Sequence, residues 1–299
     1  MKLIIDLSHT AHANWTFSAS KGIGLWKHSI LNSIASYVEQ FEPEEVIIAA
    51  DYRPTWREQV FPFYKIRKKK ETNPEKEYFR DELYKFVNEL ILNIPWKVLF
   101  LSQCEADDII AILARYFSGE EVIIISKDKD FKQLLSAPNI KIYDPRIHEF
   151  VQCPEPSRFL YNQILRGDAV DDIPNFLSDD DTFDIKGKRQ KVLREDFINK
   201  MEADGYILDE SFQYTIPESL KEFVAKKLEG KTIQDVLNNT SRNRKMIDFD
   251  WVPRKIKSFI IQEYKREKLV ERKTTEEYFY KQGFLQIQSK INLFFREGI

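Results

Sequence analysis

Two cysteines, Cys104 and Cys153, are all the thiol chemistry this sequence carries. So few exclude a disulfide scaffold, a cysteine-rich zinc module and an iron–sulfur cluster, and they set the expectation of a reducing compartment. Long apolar runs are missing too. The opening MKLIIDLSHT holds only a three-residue apolar run before Asp6, short of the roughly 7–15 residues of a secretory signal. No later stretch approaches the roughly 18 uncharged apolar residues of a membrane span, so the expectation is a cytoplasmic protein without a membrane partner. An excess of one charge is also lacking: 46 Lys and Arg face 48 Asp and Glu, a net charge of -2. That excludes a uniformly basic nucleic-acid coat and leaves any basic face to local clustering. With 42% hydrophobic residues, 9 Gly and 12 Pro in 299 residues, the chain is neither low-complexity nor disordered.

Short β-branched runs recur in the first half, at Leu3 to Ile5, Val46 to Ala50, Val98 to Leu101, Val122 to Ile125 and Ile140 to Tyr143. Segments with helical spacing separate them, among them Leu25 to Phe41, Tyr78 to Leu92 and Asp107 to Phe117. Alternation of this kind predicts an α/β fold, a mostly parallel central sheet with helices on both faces. Beyond about residue 152 strand signals fade and the chain reads as helical and charged. The prolines of Cys153-Pro154-Glu155-Pro156 mark the expected boundary between an α/β domain, 1–152, and a smaller helical domain, 153–299.

Acids fall where these strands end. Asp6 follows LII, Asp51 follows VIIAA, and Asp128 and Asp130 follow VIIISK; Glu105, Asp107 and Asp108 open the helix after VLFLSQC. In a parallel α/β sheet the carboxyl edge is where ligands bind. Taken singly, Asp107, Asp108 and Asp130 equally suit the first turn of a helix, and Asp51 a turn before Pro54. Taken together, so many carboxylates at one edge repel one another unless divalent cations neutralise them. Oxygen ligands without clustered Cys or His select Mg²⁺, with Mn²⁺ as a substitute. Two such ions suit in-line phosphodiester hydrolysis. His9 and His12, three apart, lack a third zinc ligand and read as polar loop residues near the site.

Residues 53–70 carry seven Lys or Arg against one Glu, interleaved with Trp56, Phe61, Phe63 and Tyr64. Cations for phosphates and rings for bases are what a nucleic-acid strand requires, and Arg53, Lys68, Lys69 and Lys70 are the candidate contacts; the alternative is a solvated charged face. A second cluster holds Lys186, Lys188, Arg189 and Lys191 around Gly187. It reads either as a phosphate-binding loop or as a basic loop beside an acidic one. The preceding GDAVDD brings Asp168 and Asp171, further acids for the cleft.

In order, IIDLS, AAD, FYKIRKKK, CEADDIIA, SKDKDF and GDAVDDIPN resemble the 5′ nucleases of the flap endonuclease type, most closely their T-even phage branch. The resemblance covers most of the first 190 residues and implies a PIN-like 5′ nuclease fold with a basic arch over about 53–80. It implies that Asp6, Asp51, Asp107 and Asp128 surround one metal, with Glu105 and Asp108 close by, and that Asp130 and Asp171 bind or orient a second. It casts Lys65 as the catalytic cation, Tyr64 as its base-stacking neighbour and Arg67 as the arch arginine. Two departures stand out. The family's Tyr-Lys-x-x-Arg has its arginine one residue early here, with Lys68 in its place. Its Gly-Asp-x-x-Asp-Asn-Ile-Pro-Gly has Asp172 for Asn and Asn175 for Gly. The hairpin that follows is degenerate as Asp184 to Lys188, which leaves a potassium site there open.

The activity so implied is 5′ to 3′ removal of RNA primers and 5′ flaps at replication forks, by a monomer working in the host cytoplasm if phage-encoded. Its substrates would be nicked or branched duplexes with 5′ flaps and RNA–DNA hybrids, its partners a sliding clamp and a single-strand-binding protein. Near the C-terminus Gln288, Ile291, Phe294 and Phe295 of QSKINLFF have clamp-docking spacing, which requires them to be exposed; otherwise they pack a helical core. The competing reading is a structure-specific DNA-binding protein of the same fold without chemistry. A haloacid-type phosphatase lacks its second Asp after Asp6-Leu7, a topoisomerase–primase domain lacks its first-strand Glu and Gly, and a PIN-type ribonuclease leaves the helical half unexplained.

Overall fold

The computed structural model describes residues 1–206, 216–228 and 230–295. The chain folds into two compact units. One comprises Met1–Thr55, Asn73–Pro154 and Pro253–Ile299; the other comprises Trp56–Thr72 and Glu155–Val252.

The first unit is built on a six-stranded sheet: β1 Lys2–Asp6, β2 Glu45–Ala50, β3 Lys97–Phe100, β4 Val122–Ile125, β5 Ile140–Asp144 and β6 Glu149–Phe150. Their order is β3-β2-β1-β4-β5-β6, with the first five strands parallel and only β6 antiparallel to its neighbour. Each of the five sequence-predicted strands is present. Leu3, Ile4 and Ile5 are wholly buried, as are Ile47 and Ile48, because helices cover both faces and no position in these runs meets water. The chain steps outward on one side from β1 through β2 to β3, then returns to place β4 against β1. The sheet therefore has its switch point between β1 and β4, where an open α/β fold leaves a crevice at the carboxyl ends.

The helices follow their apolar spacing. In Ile23–Phe41, Trp26, Ile30, Leu31, Ile34, Ala35 and Val38 form the buried stripe. Pro74–Asn93 starts where Asn73 accepts the amides of Glu75 and Lys76, with proline at its first position. Ala106–Tyr116 is apolar nearly all round and buried from Ile109 to Ala114.

Compactness does not follow the expected division at 152 and 153. Tyr278, Phe279, Phe284, Ile287, Leu293 and Phe294 join the same core as β1 and β2, so the last segment completes the α/β unit. Phe294, a candidate clamp anchor, is fully buried and stacks on Trp96 at 4.1 Å, while Ile291 and Phe295 pack partly buried on the same core. The packing alternative is the one realised, in a different core from the expected one. The segment forms the helices Arg272–Gln282 and Leu285–Ser289 and a final turn, Ile291–Leu293.

The second unit gathers Pro156–Arg166, Glu195–Ala203, Glu218–Lys227 and Ile233–Ile247 around Leu165, Phe176, Leu177, Ile198, Met201, Tyr206, Leu220, Val224 and Val236. Two buried amides pin its loop. Asn239 donates to the carbonyls of Phe176 and Ser178, and Asn243 to those of Ile164 and Pro174.

Candidate metal centre and nucleic-acid elements

At the carboxyl ends of the strands the first unit assembles five acids. Asp6 closes β1, Asp51 follows β2, Asp128 follows β4, and Glu105 and Asp107 begin the helix Ala106–Tyr116. Desolvation, then the charges of Asp128, Asp6, Asp51 and Glu105, push the Asp107 carboxyl well above the usual carboxylate range. These groups therefore sense one another strongly. Among the described residues, however, no three His, Cys, Asp or Glu side chains are already gathered as a metal-holding group.

Each acid is oriented by a local donor. The Ala106 amide donates to Asp51 Oδ1 at 2.8 Å, and the Asp130 amide to Asp128 Oδ1 at 2.8 Å. Asp6 receives the Ser126 hydroxyl on Oδ2 at 3.1 Å and the His9 amide on Oδ1 at 3.1 Å. The His9 ring also reaches it, with Nδ1 2.8 Å from Asp6 Oδ2. Burial alone would raise Asp6, but the hydrogen bonds and charge of His9, with the bond from Ser126, outweigh it and hold the carboxyl below its ordinary value. His9 itself is lowered by burial and raised more by Asp6 and Asp128, for a net upward shift.

His9 and His12 are not loop residues. No loop intervenes: the helix Leu7–Ser18 begins immediately after β1, and a three-residue spacing sets both rings toward one side of it. His9 attends Asp6, and His12 stacks on Phe79 at 4.1 Å. Sequence reasoning thus passes over His9 and Ser126 as site residues. The signal is present in the i to i+3 step from Asp6 to His9; Ser126 has none beyond its position at the end of β4.

Asp108 takes the helix-start role. It is fully buried, and its Oδ2 accepts the Glu105 amide at 3.1 Å while the Glu105 carboxylate accepts the Asp108 amide. This reciprocal capping satisfies two amides of the first turn and fixes the helix on which Asp107 rides.

The remaining candidates, Arg53 excepted, lie in the second unit. Asp168 accepts the Val170 amide at 2.7 Å and pairs backbone to backbone with Ile173. Asp171 receives the Tyr64 hydroxyl at 3.2 Å and Lys68 Nζ at 3.0 Å, with Lys65 Nζ 3.4 Å away. Tyr64 is 3% exposed, so its ring offers no open face for a base, contrary to the stacking expectation; the hydroxyl's bond to Asp171 holds it in. Arg67 is bound by Asp172, whose carboxylate takes both its backbone amide, at 2.9 Å, and its Nε. Lys69 pairs with Glu58 at 3.0 Å and Lys70 with Asp184. The run 64–70, expected to face phosphates, is thus laced to acids of its own unit, and Ile66–Lys70 is a short helix.

In the second cluster Lys188 bridges Asp179, at 3.0 Å, and Asp181, so for this residue the basic-beside-acidic alternative holds. Its ammonium is raised by these bonds. Lys186, Arg189 and Lys191 are exposed, as is Arg53.

Residues 3–160 match the family described as 5′-3′ exonuclease, N-terminal resolvase-like domain, and residues 158–294 the family described as T4 RNase H, C terminal. The chain belongs to the 5′-3′ exonuclease family. Its sequence is 27% identical to ribonuclease H of Enterobacteria phage T4 across 309 aligned positions, spanning 97% of this chain and 95% of that protein. The fold is shared with the T5 D15 protein co-crystallised with metal ions, with a TM-score of 0.61 at 15% identity over 88% of this chain and 99% of the other. It is shared equally with a variant of the bacteriophage T5 D15 flap endonuclease in a pseudo-enzyme-product complex with DNA and metal ions, with a TM-score of 0.60 at 15% identity over 89% and 100%.

Proposed function

We propose that the chain is a divalent-metal-dependent 5′ to 3′ nuclease that removes RNA primers and 5′ flaps during replication. The observation that carries this reading is the placement of Asp6, Asp51, Glu105, Asp107 and Asp128 at the carboxyl ends of the strands, where burial first and then the four neighbouring charges push Asp107 upward. Such a cluster is stable at neutral pH when cations offset its repulsion.

The donor set fits the group. It consists of carboxylate oxygens, and the ring nitrogen beside them, His9 Nδ1, is already engaged with Asp6. That suits Mg²⁺ or Mn²⁺. Asp6, Asp51, Glu105, Asp107 and Asp128 would hold the ions, with Asp130 assisting through water. When bound, two such ions supply an acidified water and positive charge for the leaving oxygen of a phosphodiester. The chain's own contribution is orientation: His9 and Ser126 fix Asp6, the Ala106 amide fixes Asp51 and the Asp130 amide fixes Asp128. Lys65 is the cation assigned to the charge on the scissile phosphate. Arg53, Lys186, Arg189 and Lys191 are the exposed cations available to phosphate backbones. Kinship with the phage T4 ribonuclease H over nearly the whole chain supports activity on RNA–DNA hybrids, and the T5 complex supports a flap-bearing DNA substrate.

The test is cleavage of a 5′-labelled flap duplex and of an RNA–DNA hybrid, with Mg²⁺ or EDTA, beside the Asp107→Asn protein. Mg²⁺-dependent release of short 5′ products, absent from the variant, is expected. An intact protein that binds the duplex and cuts neither substrate is instead a structure-specific binding module.

A further inference from the structure

Arg67 is the residue the family resemblance sets on the nucleic acid, yet it has four contacts within its own unit. Asp172 accepts its backbone amide at 2.9 Å and its Nε; the Ala169 carbonyl accepts its Nη2; and its guanidinium lies 4.7 Å over the Phe183 ring. Asp172 is wholly buried and left-handed at φ 59, a conformation that Asp and Asn tolerate better than most residues. The buried carboxylate is held by one guanidinium N–H and a backbone amide, so removing Arg67 strands it, whereas Arg67, 54% exposed, can fall back on water.

Beside this pair stands Lys65. It too is left-handed, at φ 52, where it starts the helix Ile66–Lys70, and its amide donates to the Asp171 carbonyl at 2.9 Å. A lysine holds such a backbone only when its surroundings impose it. The surroundings here are Asp171 on one side and Arg67–Asp172 two residues on. The two sequence departures noted above, arginine one position early and Asp172 where the family has asparagine, thus meet in one ion pair.

We propose that Arg67 and Asp172 form an internal strut that positions Lys65, and that Arg67 is a positioning residue, not a phosphate contact. The proposal rests on the nuclease reading for its catalytic consequence and on geometry alone for the strut itself.

The experiment compares Arg67→Gln, Asp172→Asn and the double variant with the wild-type chain. Asp172→Asn keeps the size and the left-handed tolerance of the original residue, so the loop still folds. Three quantities are read: amide hydrogen exchange over residues 62–73, affinity for a flap duplex in Ca²⁺ across a salt series, and single-turnover cleavage in Mg²⁺. The strut requires that both single variants speed exchange and slow single turnover by about tenfold, that the double variant is no slower than the worse single, and that duplex affinity stays within about twofold. A general loss of structure would lower affinity along with rate. The idea is overturned if Arg67→Gln weakens duplex binding and lowers the salt slope by about one charge while Asp172→Asn does neither. Exchange and binding need no cleavage, so a wild-type chain that cuts nothing sinks the nuclease reading while those two quantities still decide the strut.

Discussion

His9 Nδ1 lies 2.8 Å from Asp6 Oδ2, and Ser126 Oγ lies 2.8 Å from the same nitrogen. A histidine one turn beyond a strand-end aspartate thereby sets the direction of that carboxylate. Groups that orient metal-binding carboxylates typically contribute roughly 10–100-fold to metal affinity. His9→Leu should weaken Mn²⁺ binding by about tenfold in calorimetry, and His9→Asn, which restores a donor, should recover much of it. Equal affinity in all three proteins would remove His9 from the site.

Asp107 is pressed first by burial and then by like charges. In EDTA, Asp107→Asn should relieve that pressure and raise stability by about 1 kcal/mol, or roughly 2–4 °C in Tm. The same substitution should abolish Mg²⁺-dependent cleavage while duplex binding stays measurable. A melting curve that does not move would mean the acids are too weakly coupled to demand cations.

Gly167 has φ +67, and a Cβ there would sit 2.3 Å from the Ile173 carbonyl oxygen and 2.6 Å from that of Pro174. Neither neighbour is a flexible side-chain tip, so the backbone would have to shift. Gly167→Ala should cost about 2–3 kcal/mol in urea unfolding. Because Asp171 and Asp172 follow in the same loop, it should also free residues 64–70 to exchange. Wild-type stability would show that the turn adjusts cheaply.

Lys268 donates to the Trp96 carbonyl at 2.7 Å and to that of Leu90 at 3.4 Å. Burial, with Lys97 adding to it, pushes its ammonium down from 10.5 to about 8. Below pH 8 both folded and unfolded chains carry the proton, and the cost of burying the charge is fully present. Between pH 8 and 10.5 the unfolded chain keeps a proton that the folded one has released, so stability rises with pH. Against Lys268→Met, the wild type should gain about 1–2 kcal/mol from about pH 7.5 to 10, after allowing for partial solvent screening. Parallel stability curves would show that the two carbonyls keep the ammonium charged.

The sheet is readable because Leu3–Ile5 and Val122–Ile125 are continuous β-branched runs, a pattern that only a doubly covered strand explains. The acids are readable because each falls one or a few residues past such a run. The helix Leu7–Ser18 is not, since LSHTAHANWTFS mixes polar and apolar residues without a clear stripe, and so the pattern alone sets His9 in a loop. Nor is the fate of the basic run. Its partners Asp171, Asp172 and Asp184 lie more than a hundred positions away, and local charge cannot tell a cation awaiting phosphate from one already held. Aromatic residues 278–294 read as part of a helical domain because spacing reports a buried face without naming the core that buries it.

The stacking of Phe294 on Trp96 also orders events in time. A ribosome that has released only the first 154 residues has delivered every strand of the sheet, yet Tyr278, Phe279, Phe284 and Phe294 are still to come. The segment Glu155–Val252, by contrast, can gather its own apolar residues as soon as it emerges. Until residues 278–294 emerge, the chain therefore carries the carboxylates without the packing that holds their strands.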